Sequence, residues 1–276
     1  MRRLTFLFFL FFYVLTSQSQ DNNQYQALLD SAVTASSTNR FEKAVNFYLR
    51  VLEIDPKNAG NSLVLGNLGS VYERMGNIES ALECYTKALA MEPKLVPVLE
   101  QRSGIYLSKG EDAKALQDFN MILTQQPDNE LALLGRAYLR MELKMFQEAR
   151  MDLNSLLLNY PQNKQGELGM AILCQKEGKF EESAELFANL IERYPSDPSL
   201  YEARGNMERE AHWFELALID YEEAGRLSKN DPVYNVMQAL VYLDQNKKKS
   251  AKRMLERAVR DGMPRASLEE YFVKCK

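Results

Sequence analysis

The residue types that most often carry catalysis are sparse in this chain of 276 residues, which has a single histidine, His212. Glu208 precedes it by four positions, so both side chains would share a helix face if the helix extended that far. One carboxylate and one imidazole do not complete a metal site without further ligands. Nucleophile–histidine catalysis would have to use this one imidazole, and nothing else in the sequence points to it. We expect His212 to be a turn residue beside Trp213.

The cysteines, glycines and carboxylates add no catalytic motif. Three cysteines are too few, and odd in number, for a disulfide framework. We expect Cys84 and Cys174 to be packed thiols and the penultimate Cys275 to be free, and no pairing follows from the sequence. The thirteen glycines form neither GxxxxGKS/T nor GxGxxG, and the chain has neither CxxC nor HExxH. The carboxylates lie at helix spacing, so we expect any pair to be solvated. The sequence therefore predicts no metal, no cofactor and no enzymatic activity.

The elements that position these residues follow from a pattern in the stretch from Asn67 to Pro93. Its positions recur at steps of 34 residues, with three extra residues (59–61) between the first two units. The position of Ala81 also holds Ala44, Ala115, Ala149, Ser183, Ala217 and Ala251; that of Gly69 holds Ala32, Ser103, Ala137, Ala171, Gly205 and Ala239. Small residues at both positions let two helices cross closely. Gly76 tolerates the turn between the helices, and Pro93 ends the second helix.

This pattern resembles the tetratricopeptide repeat over about residues 25–265. The resemblance implies an all-α fold, a right-handed superhelical solenoid of seven helical hairpins that forms one elongated domain without a single central core. The repeats are placed at 25–58, 62–95, 96–129, 130–163, 164–197, 198–231 and 232–265. Because a solenoid needs a covered end, we expect a capping helix within 266–276, with Ser267 as its N-cap.

The first residues differ in kind from the repeats. Arg2 and Arg3 precede an apolar run from Leu4 to Leu15, and small residues follow at Ser17 and Ser19. This order is typical of a secretory signal peptide, predicted at 1–19, with a polar linker at 20–24. The alternative is an uncleaved membrane anchor, for which the run is short against the roughly 20 residues of a spanning helix. The chain has no Asn-x-Ser/Thr acceptor, and we favour a bacterial exported protein, periplasmic or associated with the outer membrane.

The charge balance argues against a nucleic-acid-binding protein. Without Arg2 and Arg3, 32 basic residues stand against 38 acidic ones, a net charge of −6. Basic residues concentrate in the last repeat, at Lys247, Lys248, Lys249, Lys252, Arg253, Arg257 and Arg260. They predict either a solvated outer face or peripheral contact with an acidic partner or anionic lipid.

The resemblance also implies a binding groove lined mainly by the first helix of each repeat. The family's two-carboxylate clamp is absent, since only Asn67 falls on one of its positions. The predicted groove carries an apolar strip, formed by Leu131, Leu134, Tyr138, Met141, Leu168 and Ile172. Such a strip with charged surroundings is typical of a protein-binding surface, and the alternative is that these side chains pack against one another.

The sequence therefore predicts a non-catalytic scaffold of the bacterial cell envelope that binds a partner peptide or helix in this groove. The partners are expected to be envelope proteins, with no small-molecule ligand. One alternative is an accessory subunit of a membrane-associated assembly or transport complex. A second is an enzyme module with an unrecognised site around Glu202, Asn206 and Arg209.

Overall fold

A computed structural model describes residues 22–276, so the predicted signal peptide lies outside the described residues. The described chain is all-helical, as predicted. The helices are α1 (22–37), α2 (Phe41–Ile54), α3 (Asn61–Arg74), α4 (Ile78–Met91), α5 (Val96–Ser108), α6 (Asp112–Gln125), α7 (Glu130–Glu142), α8 (Phe146–Asn159), α9 (Lys164–Lys176), α10 (Phe180–Arg193), α11 (Pro198–Glu210), α12 (Phe214–Leu227), α13 (Val233–Asp244), α14 (Lys248–Arg260) and α15 (Glu269–Lys274). Residues 22–24 belong to α1 rather than to the predicted linker.

The turn within each hairpin falls at the same position of the 34-residue period, and its residue has a positive φ. These residues are Asn39, Gly76, Gly110, Lys144, Gly178, His212 and Asn246, with φ between 58° and 77°. Glycine adopts this left-handed conformation without steric strain, and asparagine tolerates it better than most residues. His212, with φ of 62°, is therefore a turn residue, as the sequence analysis predicted.

Small residues bring the two helices of a hairpin together. Ala81, Ala149 and Ala217 in the second helices have no exposed surface. A Cβ atom on Gly69 would lie 2.6 Å from the ring of Tyr85, and one on Gly205 would lie 2.9 Å from the ring of Tyr221. In these two hairpins the large tyrosine requires a glycine opposite it, because a methyl group would overlap with the ring.

The chain divides into two compact units, Met1–Ala132 and Leu133–Lys276. The first unit contains a buried cluster around Tyr48, Val51 and Leu68. The second contains a series of buried clusters that follow the order of its helices, from Ala137 and Leu153 to the C-terminal residues. Within each unit, consecutive helices pack against each other as hairpins.

The C-terminal segment begins with a 3-10 turn, Arg265–Leu268, followed by the short helix α15. The prediction of Ser267 as its N-cap is wrong, because Leu268 holds that position. The Ser267 hydroxyl instead donates a hydrogen bond of 2.7 Å to the carbonyl of Pro264. Leu268 and Phe272 are buried against Leu255 of α14. These two apolar side chains fasten the segment to the last hairpin.

Candidate functional site

The predicted apolar strip is only partly a surface. Leu131 is exposed in the first unit. In the second unit, Leu134 and Tyr138 of α7 and Leu168 and Ile172 of α9 are each half-buried. The sixth residue, Met141, is placed differently from the prediction.

Met141 is 1% exposed and packs in the core with Ala149 and Leu153 of α8. It lies on the same helical stripe as Leu134 and Tyr138, but the second helix of the hairpin covers this end of α7. Met141 is therefore closed to a partner in this fold, and its prediction as a binding residue is wrong.

The four half-buried residues of the second unit form a supported surface. Leu134, Tyr138 and Ile172 pack against the cluster that contains Leu153, and Ile172 together with Leu168 packs against the next cluster, which contains Phe187. Burial raises the pKa of Tyr138 above its ordinary value, so its hydroxyl stays protonated at neutral pH. Side chains held on one side by a core and open on the other can contact a partner at a small entropic cost.

The polar residues considered for an enzyme site act as links between helices. The Tyr221 hydroxyl donates to Asn206 Oδ1 at 2.8 Å, and the Tyr234 hydroxyl donates to Glu202 Oε2 at 3.1 Å. Arg209 Nε donates to Asp244 Oδ2 at 2.5 Å. Since each of the three already has a partner within the fold, this arrangement favours a structural role over catalysis.

The sequence analysis missed three buried ion pairs that recur with the repeat. Arg102 pairs with Asp118, Arg136 with Asp152, and Arg204 with Asp220, always across 16 residues and through two parallel hydrogen bonds of 2.6–3.0 Å. The three aspartates are buried, so these carboxylates do not lie on solvated helix surfaces as expected. Each pair connects the two helices of one hairpin, and its bidentate geometry fixes how they are aligned.

Two of these pairs have a further charged neighbour, at equivalent positions of the period. In the fourth repeat, Arg140 Nη1 also donates to Asp152 Oδ2, at 2.5 Å. In the sixth repeat the equivalent residue is Glu208, whose Oε1 lies 3.9 Å from Arg204 Nε. Burial, together with the negative charge of Asp220, raises the pKa of Glu208 to about 8. Glu208 therefore carries a proton over much of the neutral range.

Family models described as tetratricopeptide repeat match residues 23–94, 67–130, 131–163 and 168–232. The chain belongs to the tetratricopeptide repeat family. Its fourteen paired helices, α1 to α14, correspond to seven tetratricopeptide repeats. None of the curated proteins compared with the chain is significantly similar to it.

Solved structures with similar folds include two that are described as tetratricopeptide repeat proteins. One from Parabacteroides merdae is 27% identical, with a TM-score of 0.76 over 92% of this chain and 99% of that one. PilW, a type IV pilus biogenesis factor, is 17% identical, with a TM-score of 0.62 over 71% of this chain and 91% of PilW. YrrB, described as having an unusual peptide-binding site, is 16% identical, with a TM-score of 0.55 over 72% of this chain and 97% of YrrB. The last two likenesses concern the fold alone.

The thiols of this tetratricopeptide repeat protein are poor nucleophiles. Cys84 and Cys174 are buried, as predicted, and both are free thiols. Burial raises the pKa of Cys84 to about 11 and also raises that of Cys174, whose sulfur lies 3.6 Å from Arg150 Nη2. Within residues 22–276, no group of three or more potential ligands is placed to hold a metal ion. No helix in the same range is long and apolar enough to cross a membrane.

Proposed function

We propose that this protein is a non-catalytic scaffold of the bacterial cell envelope that binds a peptide or helix of a partner protein on α7 and α9. The tetratricopeptide repeat fold indicates a protein–protein interaction scaffold. The observation that carries the finer proposal is the half-exposed apolar surface formed by Leu134, Tyr138, Leu168 and Ile172 on two first helices of consecutive repeats.

The surface suits a partner that supplies apolar side chains at regular intervals. Tyrosine is among the residues that contribute most to protein–protein affinity, so Tyr138 is the expected anchor of this surface. An amphipathic helix or an extended peptide could place two or three apolar side chains on this surface. YrrB, a structural neighbour, is described as having a peptide-binding site.

The envelope assignment draws on the sequence of the first 19 residues, with basic Arg2 and Arg3 followed by an apolar run and small residues. PilW, another structural neighbour, is described as a pilus biogenesis factor. Export can be tested by fractionating cells and sequencing the N-terminus of the mature chain. A new N-terminus at or near residue 20 supports the proposal, whereas an intact chain in the cytoplasm contradicts it.

In-cell crosslinking followed by mass spectrometry tests the binding surface. The test variant, Leu134→Glu/Ile172→Glu, introduces two charges on the first helices. The matched control, Met151→Glu/Leu158→Glu, introduces the same charges on α8, where the two side chains are 69% and 81% exposed. Circular dichroism and urea denaturation establish that both variants fold.

We expect an envelope protein that is captured by the native chain and by the control variant, but not by the test variant. Equal capture by all three chains would show that the four residues only pack against the fold. Loss of capture in the control variant alone would place the contact on the second helices instead.

The exposed basic surface of α14 favours a second candidate, an accessory subunit that contacts anionic lipid or an acidic protein. Lys248, Lys249, Lys252 and Arg253 are all exposed on this helix, whose Ala251 and Leu255 are buried. Sedimentation with phosphatidylglycerol vesicles, which high salt should reverse, tests the lipid contact. A Lys248→Glu/Lys252→Glu variant should lose the interaction, and equal binding to neutral phosphatidylcholine vesicles would contradict it.

A further inference from the structure

A second surface of the second unit is an open cleft on the side of the second helices, away from the proposed peptide site. It lies between α10 and α12, has a volume of about 400 Å³, and has α11 as its floor. Its walls are apolar: Ala184 and Ala188 come from α10, and Leu216 and Ile219 from α12. Ile219 is 61% exposed although it is a large aliphatic side chain. Trp213 completes the lining and is the single tryptophan of the chain.

The floor of the cleft contains a carboxyl group with one oxygen that accepts no hydrogen bond. Arg204 donates two hydrogen bonds to Asp220, of 2.6 and 2.8 Å. Glu208 also lines the cleft and is 5% exposed; no donor among the described residues reaches its buried Oε2, and its protonated form hydrogen-bonds to Asp220. A buried polar oxygen that accepts no hydrogen bond is unfavourable, so a ligand that supplies a donor there binds more tightly.

The cleft is lined by more acidic than basic side chains. Glu185 of α10 is exposed at the lining, Glu208 and Arg204 come from α11, and Asp220 comes from α12. Three carboxyl groups therefore face one guanidinium. The pKa of Glu208 is about 8, so its carboxyl group is protonated at lower pH. A cation bound at Oε2 would displace this proton and balance the charge of the ionised carboxylate.

The fourth repeat shows what the fold does with a cation at this position. There the equivalent residue is Arg140, which donates to the buried Asp152 beside Arg136. The chain itself thus supplies a second positive charge in the fourth repeat. The sixth repeat has a carboxyl group instead, so a second positive charge at this position would come from another molecule.

We propose that this cleft binds the lysine side chain of a partner protein, with the aliphatic stem between Leu216, Ile219 and Trp213 and the ammonium group at Glu208 Oε2. A guanidinium prefers two parallel oxygens, whereas Glu208 offers one, because Oε1 faces Arg204; a compact ammonium fits a single acceptor better. The cleft is too open to enclose a free small molecule, and this suits a side chain presented by a protein surface. The proposal is independent of the peptide site on α7 and α9.

Fluorescence of Trp213 measures binding directly. The probe is n-hexylammonium chloride, with n-hexanol, sodium hexanoate and sodium chloride as controls of equal concentration. We expect hexylammonium to change the Trp213 fluorescence in a saturable way and the three control compounds to leave it unchanged. Because only the ionised Glu208 pairs with a cation, and its pKa is about 8, binding should be at least about tenfold tighter at pH 9 than at pH 6.

Two variants distinguish the contribution of the Glu208 carboxylate to binding from that of the apolar walls. Glu208→Gln should weaken hexylammonium binding at pH 9 at least tenfold and remove its pH dependence. Ile219→Ser, at an exposed position, should weaken binding and leave the pH dependence unchanged. Because Ile219 is exposed, the Ile219→Ser variant still tests the proposal if Glu208→Gln does not fold. An equal response to hexanol, or unchanged binding in Glu208→Gln, would overturn the proposal.

A final comparison identifies the source of the ammonium group. A peptide with one lysine should compete with hexylammonium, and the same peptide with an acetylated lysine should not, because acetylation removes the charge. Tighter binding of free spermidine than of the lysine peptide would overturn the assignment to a partner protein.

Discussion

Breaking the buried pair between Arg102 and Asp118 on one side should destabilise the first unit far more than replacing both partners. The two hydrogen bonds of the pair are 2.9 and 2.7 Å long, and the exposed fractions of the two side chains are 17% for Arg102 and 2% for Asp118. Asp118→Leu leaves the guanidinium without its carboxylate, and loss of one partner of a buried pair costs about 3–5 kcal/mol. Because Arg102 can turn partly towards water, we expect a loss of about 3 kcal/mol.

The fifth repeat supplies the double replacement, since its residues at these two positions are Met170 and Leu186. Arg102→Met/Asp118→Leu should therefore have a free energy of unfolding within about 1 kcal/mol of the native chain, as expected when a buried pair is exchanged for apolar residues of similar volume. Urea denaturation followed by circular dichroism at pH 7 measures both variants.

The exposed pair of Lys87 and Glu83 provides the control, since its atoms are also 2.7 Å apart while both side chains are more than half exposed. Glu83→Gln should change the free energy of unfolding far less than Asp118→Leu does, because water screens an exposed pair. The reasoning is refuted if the double variant is as unstable as Asp118→Leu, because the pair itself, and not the unpaired charge, would then be required.

Three further predictions concern packing, pH and thiol reactivity. Gly69→Ala should destabilise the fold by about 1–3 kcal/mol in urea denaturation through its overlap with the Tyr85 ring, whereas Gly104→Ala, with no atom within 4 Å of the new Cβ, should stabilise α5 by up to about 1 kcal/mol. The raised pKa of Glu208 favours its protonated form in the folded state, so the free energy of unfolding should fall as pH rises from about 4.5 to about 8, by at most about 1.4 kcal/mol per pH unit; a Glu208→Gln variant that keeps this slope would contradict the assignment. Cys275, which is half-exposed, should react with a thiol reagent before Cys84 and Cys174, and reaction of these two at the rate of a free thiol in the folded protein would contradict their burial.

The architecture could be predicted because one period controls several independent positions. The 34-residue step that places Ala81 and Gly69 also places the turn residues, including Lys144 and His212, whose types alone do not indicate a left-handed conformation. A turn of fixed length between two packed helices imposes this conformation whichever residue stands there. The residue pattern was therefore a better guide than the propensity of single residues.

The buried pairs were missed because each position was considered separately. Arginine and aspartate are mostly exposed on helices, so neither one alone predicts burial. The available signal was their joint occurrence: Arg102, Arg136 and Arg204 are each followed 16 residues later by aspartate, whereas Met170 is followed by Leu186. Met141 was misplaced for a different reason, since periodicity gives the face of a helix but not the point where the partner helix covers it.

The location of the buried pairs also bears on how such a chain can change its length. Each Arg–Asp pair lies inside one 34-residue segment, so an in-frame duplication or deletion of a segment copies or removes both partners together. Contacts such as Lys164 with Asp197 and Arg209 with Asp244 span 33 and 35 residues and connect successive segments. Those contacts are at least partly exposed to water, where a lost partner has little effect on stability. Genetic gain or loss of whole segments would thus leave none of these buried aspartates without its arginine.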